Sequence, residues 1–112
     1  MYVKILATRQ HGNKMEKDIE AYLKRRVEAY GGACIKFVSP GMKGAPDRIV
    51  FLNERLFFVE LKTPVGRLSK VQISYHKFLR RFGYTVAVLN STEQINNFLD
   101  DIQPTRLPGT RY

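Results

Sequence analysis

Two apolar runs, Arg48 to Leu52 and Leu56 to Leu61, flank a tight turn at Asn53-Glu54. Side chains alternate along a strand, so Ile49, Phe51 and Phe58 fall on one face of this hairpin. Val50, Leu52, Phe57, Val59 and Leu61 fall on the other. Neither face is polar. A hairpin that needs cover on both sides belongs inside a layered α/β sheet, not on a sheet with a solvated face.

The flanking segments supply that cover. A helix is expected from Lys14 to Tyr30, capped by Asn13 with Glu16 at the third position and stopped by Gly31-Gly32. Ile19, Leu23, Val27 and Tyr30 share one of its faces. Cys34 to Val38 reads as a strand and Ser39 to Pro46 as a loop. A second helix follows Ser69, with Gln72 in capping-box position, Val71, Tyr75, Phe78, Leu79 and Phe82 turned inward, and Gly83 at its end. Thr85 to Leu89 is a further strand, and Ser91 caps a last helix from Thr92 to Asp101. The order is α-β-β-β-α-β-α, a central mixed β-sheet flanked by helices, in which a crossover helix lets the third and fourth strands run parallel. The domain spans residues 15–101. Residues 1–14 form an extension in which Tyr2 to Leu6 is either an edge strand or disordered, and 102–112 form a tail broken by Pro104 and Pro108.

Charge narrows the class of partner. The 112 residues carry 19 Lys+Arg against 10 Asp+Glu, a net charge of +9. From Lys62 to Arg81 the bases Lys62, Arg67, Lys70, Lys77, Arg80 and Arg81 meet no acid, so no i,i+4 pairs neutralise them. A polyanion such as nucleic acid is the expected partner, and a solvated basic face is the alternative. No apolar run reaches the ~20 residues of a membrane span. The N-terminal apolar stretch is too short for a signal peptide. The single cysteine, Cys34, is expected to be a buried strand residue in a reducing cytoplasm.

Against this basic background Asp47, Glu60 and Lys62 stand in and around the most apolar segment. If the hairpin turns through Asn53 and Glu54, Leu52 pairs with Arg55 and Asp47 falls opposite Glu60, with Cβ atoms ~5 Å apart. Two such carboxylates repel unless a cation joins them, and hard oxygen donors suit Mg²⁺. Lys62, on the same face as Glu60, would orient or deprotonate a water or hold a phosphate. The alternative is a turn capped by Asp47 and a Glu60–Lys62 ion pair.

Pro46-Asp47 followed by Glu60-Leu61-Lys62 resembles the PD-(D/E)xK nuclease signature. Together with Gly44-Ala45-Pro46-Asp47-Arg48, Gly66 to Gln72 and the acidic first helix Met15 to Glu20, the chain is similar to the virus-type replication–repair nuclease (VRR-NUC) domain over Met15 to Leu99. The resemblance implies Mg²⁺- or Mn²⁺-dependent hydrolysis of DNA phosphodiesters. It implies Asp47 and Glu60 as metal ligands, the Leu61 carbonyl as a third, and Lys62 as the catalytic lysine. Gln72 would position water or phosphate, a role compatible with its capping box. Glu16, in preference to Glu20, would be an additional or water-mediated ligand.

Arg67, Lys70, Lys77, Arg80 and Arg81 are the expected phosphate contacts, with Lys36, Lys43 and Arg48 flanking the catalytic loop. His11 and His76 lack a metal-binding pattern and are expected on the surface or facing DNA. Stand-alone members of the family resemble Holliday-junction resolvases, which implies a homodimer with two symmetric sites. A flap or nicking repair nuclease, a restriction-type enzyme and a non-catalytic nucleic-acid-binding module are the alternatives. The same resemblance suggests a phage or prophage product in a bacterial cytoplasm.

Overall fold

The computed structural model describes the backbone of residues 11–103 and the side chains of 17–103. The expectations for Tyr2 to Leu6, for Pro104 and Pro108, and for the side chains of His11 and Glu16 lie outside those residues. Seven elements follow in the order expected: α1 (His11–Ala29), β1 (Ala33–Lys36), β2 (Arg48–Leu52), β3 (Arg55–Leu61), α2 (Lys70–Arg81), β4 (Thr85–Leu89) and α3 (Thr92–Ile102). The sheet order is β1-β2-β3-β4. The first two pairings are antiparallel, and β3 and β4 are parallel across the α2 crossover.

The sheet separates two apolar layers. On one side α1 and α3 cover it, and Leu23, Val27, Val50, Val59, Ile95 and Leu99 are fully buried there. On the other side α2 sets Tyr75 and Leu79 against Phe58 and Val86. Burying a Leu, Ile or Phe contributes about 1.5–3 kcal/mol, so the larger first layer carries most of the folding free energy. Tyr22 joins the two helices of that layer by donating its hydroxyl to Asn96 Oδ1 at 2.6 Å.

The hairpin turn is the one expected. Leu52 pairs with Arg55, while Asn53 and Glu54 adopt φ of 57° and 62°. These left-handed values make a two-residue turn whose twist matches the strands. Asn53 Nδ2 also donates to the Ile102 carbonyl at 2.8 Å, tying the tip to the end of α3.

Three expectations shift. Asn13 lies within α1, which already includes His11, so it is not the cap. Each residue added to a nucleated helix gains a backbone hydrogen bond, which carries weak formers such as Gly12 and Asn13. Tyr30 falls beyond the helix and is 41% exposed. Strand β1 stops at Lys36, not Val38. The register Lys36↔Arg48 would set Val38 against Pro46, which has no N–H to offer. The third shift is the rotation of α2: its buried residues are Tyr75, His76 and Leu79, whereas Val71, Phe78 and Phe82 are exposed.

Glu54 holds a left-handed conformation that L residues other than Gly, Asn and Asp rarely adopt. Glu54→Gly is expected to stabilise the fold by about 1 kcal/mol, read as a higher urea midpoint with unchanged slope.

Candidate active site

Strand register brings the acidic pair together. Extending Arg48↔Val59 by one residue sets Asp47 opposite Glu60. Asp47 is held from both neighbouring strands: Phe37 N–H donates to its carbonyl at 2.9 Å, and Leu61 N–H donates to its Oδ2 at 2.9 Å. Lys62 continues β3 in backbone terms, since its N–H donates to the Leu89 carbonyl. Alternation then puts Glu60 and Lys62 on the α2 face, with Lys62 Nζ 3.7 Å from Glu60 Oε2.

The Gly44-Ala45-Pro46-Asp47 loop seats this edge against α2. Gly44 has φ of +92°, and a Cβ built there would stand 2.6 Å from the Val71 carbonyl oxygen. Only glycine allows that approach, which brings the first turn of α2 close to Asp47.

Helix α2 answers Glu60. The Ser69 hydroxyl accepts from Gln72 N–H at 3.1 Å, and Gln72 Oε1 accepts from Ser69 N–H at 2.8 Å, completing a capping box. The other half of the same amide is turned to the site: Gln72 Nε2 donates to Glu60 Oε2 at 3.0 Å. Gln72 therefore fixes the helix start and the carboxylate together.

Glu60 is 2% exposed, and its Oε1 has no hydrogen-bond partner. Burial, and then the negative charge of Asp47, push its carboxyl up to about 7 against the weaker opposing pull of Lys62. A carboxylate perturbed in this way by burial and a like charge is typical of a functional cleft. Among the described residues no three His, Cys, Asp or Glu side chains converge. Among the described residues, the side-chain donors that a hard cation would find here are Asp47 and Glu60, with backbone, water or substrate oxygens for other positions.

The remaining expected site residues divide. Lys36, Lys43, Arg67, Lys70, Lys77, Arg80 and Arg81 are exposed. Arg80 is partly committed, with Nη2 donating to the Val86 carbonyl at 2.8 Å. Arg48, expected to flank the catalytic loop, is instead buried at 7% exposure and ion-paired with Glu20. Its even position in β2 sends it to the α1 face, opposite to Asp47, so it is not presented to a DNA surface. Beside that pair a hollow of about 320 Å³ is lined by Lys17, Glu20, Lys24, Cys34 and Lys36. Cys34 is buried and free, and burial pushes its thiol up to about 11, the environment of an inert core cysteine.

His76 is the residue that sequence reasoning misplaced. It is 1% exposed, and its Nε2 lies 4.0 Å from Glu60 Oε1. The signal was its spacing: four residues beyond Gln72, it shares that side chain's helix face.

Comparison with known proteins gives a consistent picture. The family model of the VRR-NUC domain matches residues 6–93. The "Putative nuclease p44" of Acyrthosiphon pisum secondary endosymbiont phage 1 is 42% identical over 79 residues, covering 70% of this chain and 85% of that protein. A solved structure of a VRR_NUC domain superposes with a TM-score of 0.74 at 31% identity, covering 80% of this chain and 98% of that one.

The raised pKa of Glu60 has a stability consequence with a definite sign. The folded chain holds this proton more tightly than the unfolded chain, so the contribution of Glu60 to stability falls as pH rises from 4.5 toward about 7. In the presence of chelator, Glu60→Gln is expected to stabilise the fold relative to wild type by up to about 3 kcal/mol at pH 8, and by little at pH 5. Paired thermal melts at the two pH values measure it.

Proposed function

The chain belongs to the VRR-NUC domain family of nucleases, and from that premise we propose that it is a Mg²⁺-dependent, structure-selective DNA endonuclease, acting on four-way junctions as a homodimer. The observation that carries the metal reading is the opposed Asp47–Glu60 pair, with Glu60 buried and Asp47 partly exposed. A hard divalent cation, Mg²⁺ with Mn²⁺ as substitute, fits that donor set, since it would relieve the repulsion between the two carboxylates. When bound, such an ion supplies an activated water and stabilises charge developing on the phosphate.

The protein's own residues do the rest. Asp47 is oriented by Leu61 N–H, and Glu60 by Gln72. The Leu61 carbonyl is the proposed third donor from the same strand end. Lys62, partly exposed beside Glu60, reaches the scissile phosphate or the attacking water. Glu60 must be ionised to act as a ligand, so in the metal-free site a proton competes with the cation and metal binding strengthens as pH rises. Arg67, Lys70, Lys77 and Arg81 are exposed and bind flanking phosphates without reading sequence.

The junction preference rests on family likeness and on symmetry. A four-way junction presents two equivalent strands, and two copies of a short chain can cut both. Exposed Phe78, Phe82 and Tyr84 beside the edge strand β4 support pairing of copies. No helix among the described residues is long and apolar enough to cross a membrane. The kinship with a phage protein supports action on DNA inside a bacterial host.

Cleavage of labelled four-way junction, flap and linear duplex in Mg²⁺ tests the proposal. Symmetric nicks in the junction are expected, abolished by chelator and slowed at least about a hundredfold by Lys62→Ala. Cutting of flaps in preference would replace the resolvase reading with a repair-nuclease one. Binding without cleavage in Mg²⁺ or Mn²⁺ would reduce the chain to a binding module.

A further inference from the structure

Helix α2 places two polar side chains, Gln72 and His76, one turn apart on its buried face. Each stands against a different oxygen of the same carboxylate. Gln72 Nε2 is bonded to Glu60 Oε2, and His76 Nε2 lies 4.0 Å from Glu60 Oε1. Glu60 Oε1 and both His76 nitrogens are buried without partners.

A buried polar group left unpaired costs about 1–3 kcal/mol. An imidazole carries at least one N–H donor whatever its tautomer. A leucine or phenylalanine would fill the same space beside Tyr75 and Leu79 without that cost. The orphaned donor and the orphaned acceptor face each other across a gap that a small turn of either side chain closes, and closing it satisfies both.

We infer that His76 is a positioning residue of the site: a ring N–H donates to Glu60 Oε1 and, with Gln72 on Oε2, fixes the plane of the carboxylate that faces Asp47. The inference rests on the proposed metal-dependent reading. A carboxylate gripped at both oxygens keeps its outward lone pairs aimed at one point between Glu60 and Asp47. Without His76 the Glu60 carboxylate is held at one oxygen only, and a cation must then order it on binding.

Mn²⁺ binding to the full chain, measured by calorimetry alongside a thermal melt, tests this. His76→Phe and His76→Leu are expected to weaken Mn²⁺ affinity by about 10–100-fold and to lower kcat with KM for DNA unchanged. His76→Gln, which restores an amide donor, is expected to recover most of the affinity. A folded apolar variant that binds Mn²⁺ as wild type does would overturn the inference, as would a folded His76→Gln with no recovery.

A second readout needs no variant at this position. A ring N–H held by Glu60 exchanges slowly with water and gives a resolved proton resonance in the wild-type protein. Its absence would overturn the hydrogen bond even if the apolar variants failed to fold. Wild-type protein that binds no Mn²⁺ would remove the metal reading and this inference together, whereas normal wild-type binding with unaffected variants removes this inference alone.

Discussion

The burial of Glu60 organises this molecule. A carboxylate at 2% exposure, opposite a second carboxylate and set between apolar layers, is costly to ionise, and its proton affinity is raised accordingly. Its own strand and two other elements converge on that one side chain. Asp47 leads into β2, β3 continues to Lys62, and α2 contributes Gln72 and His76. The arrangement sacrifices stability locally, and the larger apolar layer between α1, α3 and the sheet offsets it.

The topology explains how a short chain achieves this. An antiparallel hairpin sets two residues distant in sequence directly across from each other, and its tight turn leaves no slack in the register. The parallel β3–β4 pair then requires a crossover helix, and that helix packs on the face toward which Glu60 points. Gly44 closes the frame by letting the loop before Asp47 touch the start of α2. Each constraint is a backbone one, so the relative placement of Asp47, Glu60 and Gln72 does not depend on long flexible side chains.

The two faces of the sheet also separate the charges. On the α1 face Arg48 and Glu20 neutralise each other beside the first-layer core. On the α2 face the acids are gathered at one strand end, while Arg67, Lys70, Lys77 and Arg81 remain exposed on α2 and the loop before it. An anionic ligand approaching that side meets exposed bases as well as the acidic pair.

Much of this was legible in the sequence because it is periodic or local. The doubly apolar hairpin, the Asn53-Glu54 turn and the Asp47–Glu60 opposition follow from alternation and register, and Ser69 with Gln72 announces its capping box within four residues. The rotation of α2 was not legible. Counting apolar residues favours the stripe of Val71, Tyr75, Phe78, Leu79 and Phe82, yet only Tyr75 and Leu79 are buried, beside His76, while Val71, Phe78 and Phe82 are exposed. Apolar periodicity assumes that the core accepts only apolar groups, and here the face turned inward carries Gln72 and His76 toward a buried carboxylate beside apolar Tyr75 and Leu79. The pairing of Arg48 with Glu20 was hidden for a similar reason, since it joins residues far apart in sequence across a strand face. The sequence by itself determined the element order, the hairpin register and the acidic pair, all properties of local geometry. Only the tertiary structure decided which side of α2 meets Glu60 and which bases remain open to solvent, because those depend on how separate elements pack and on the electrostatics of burial.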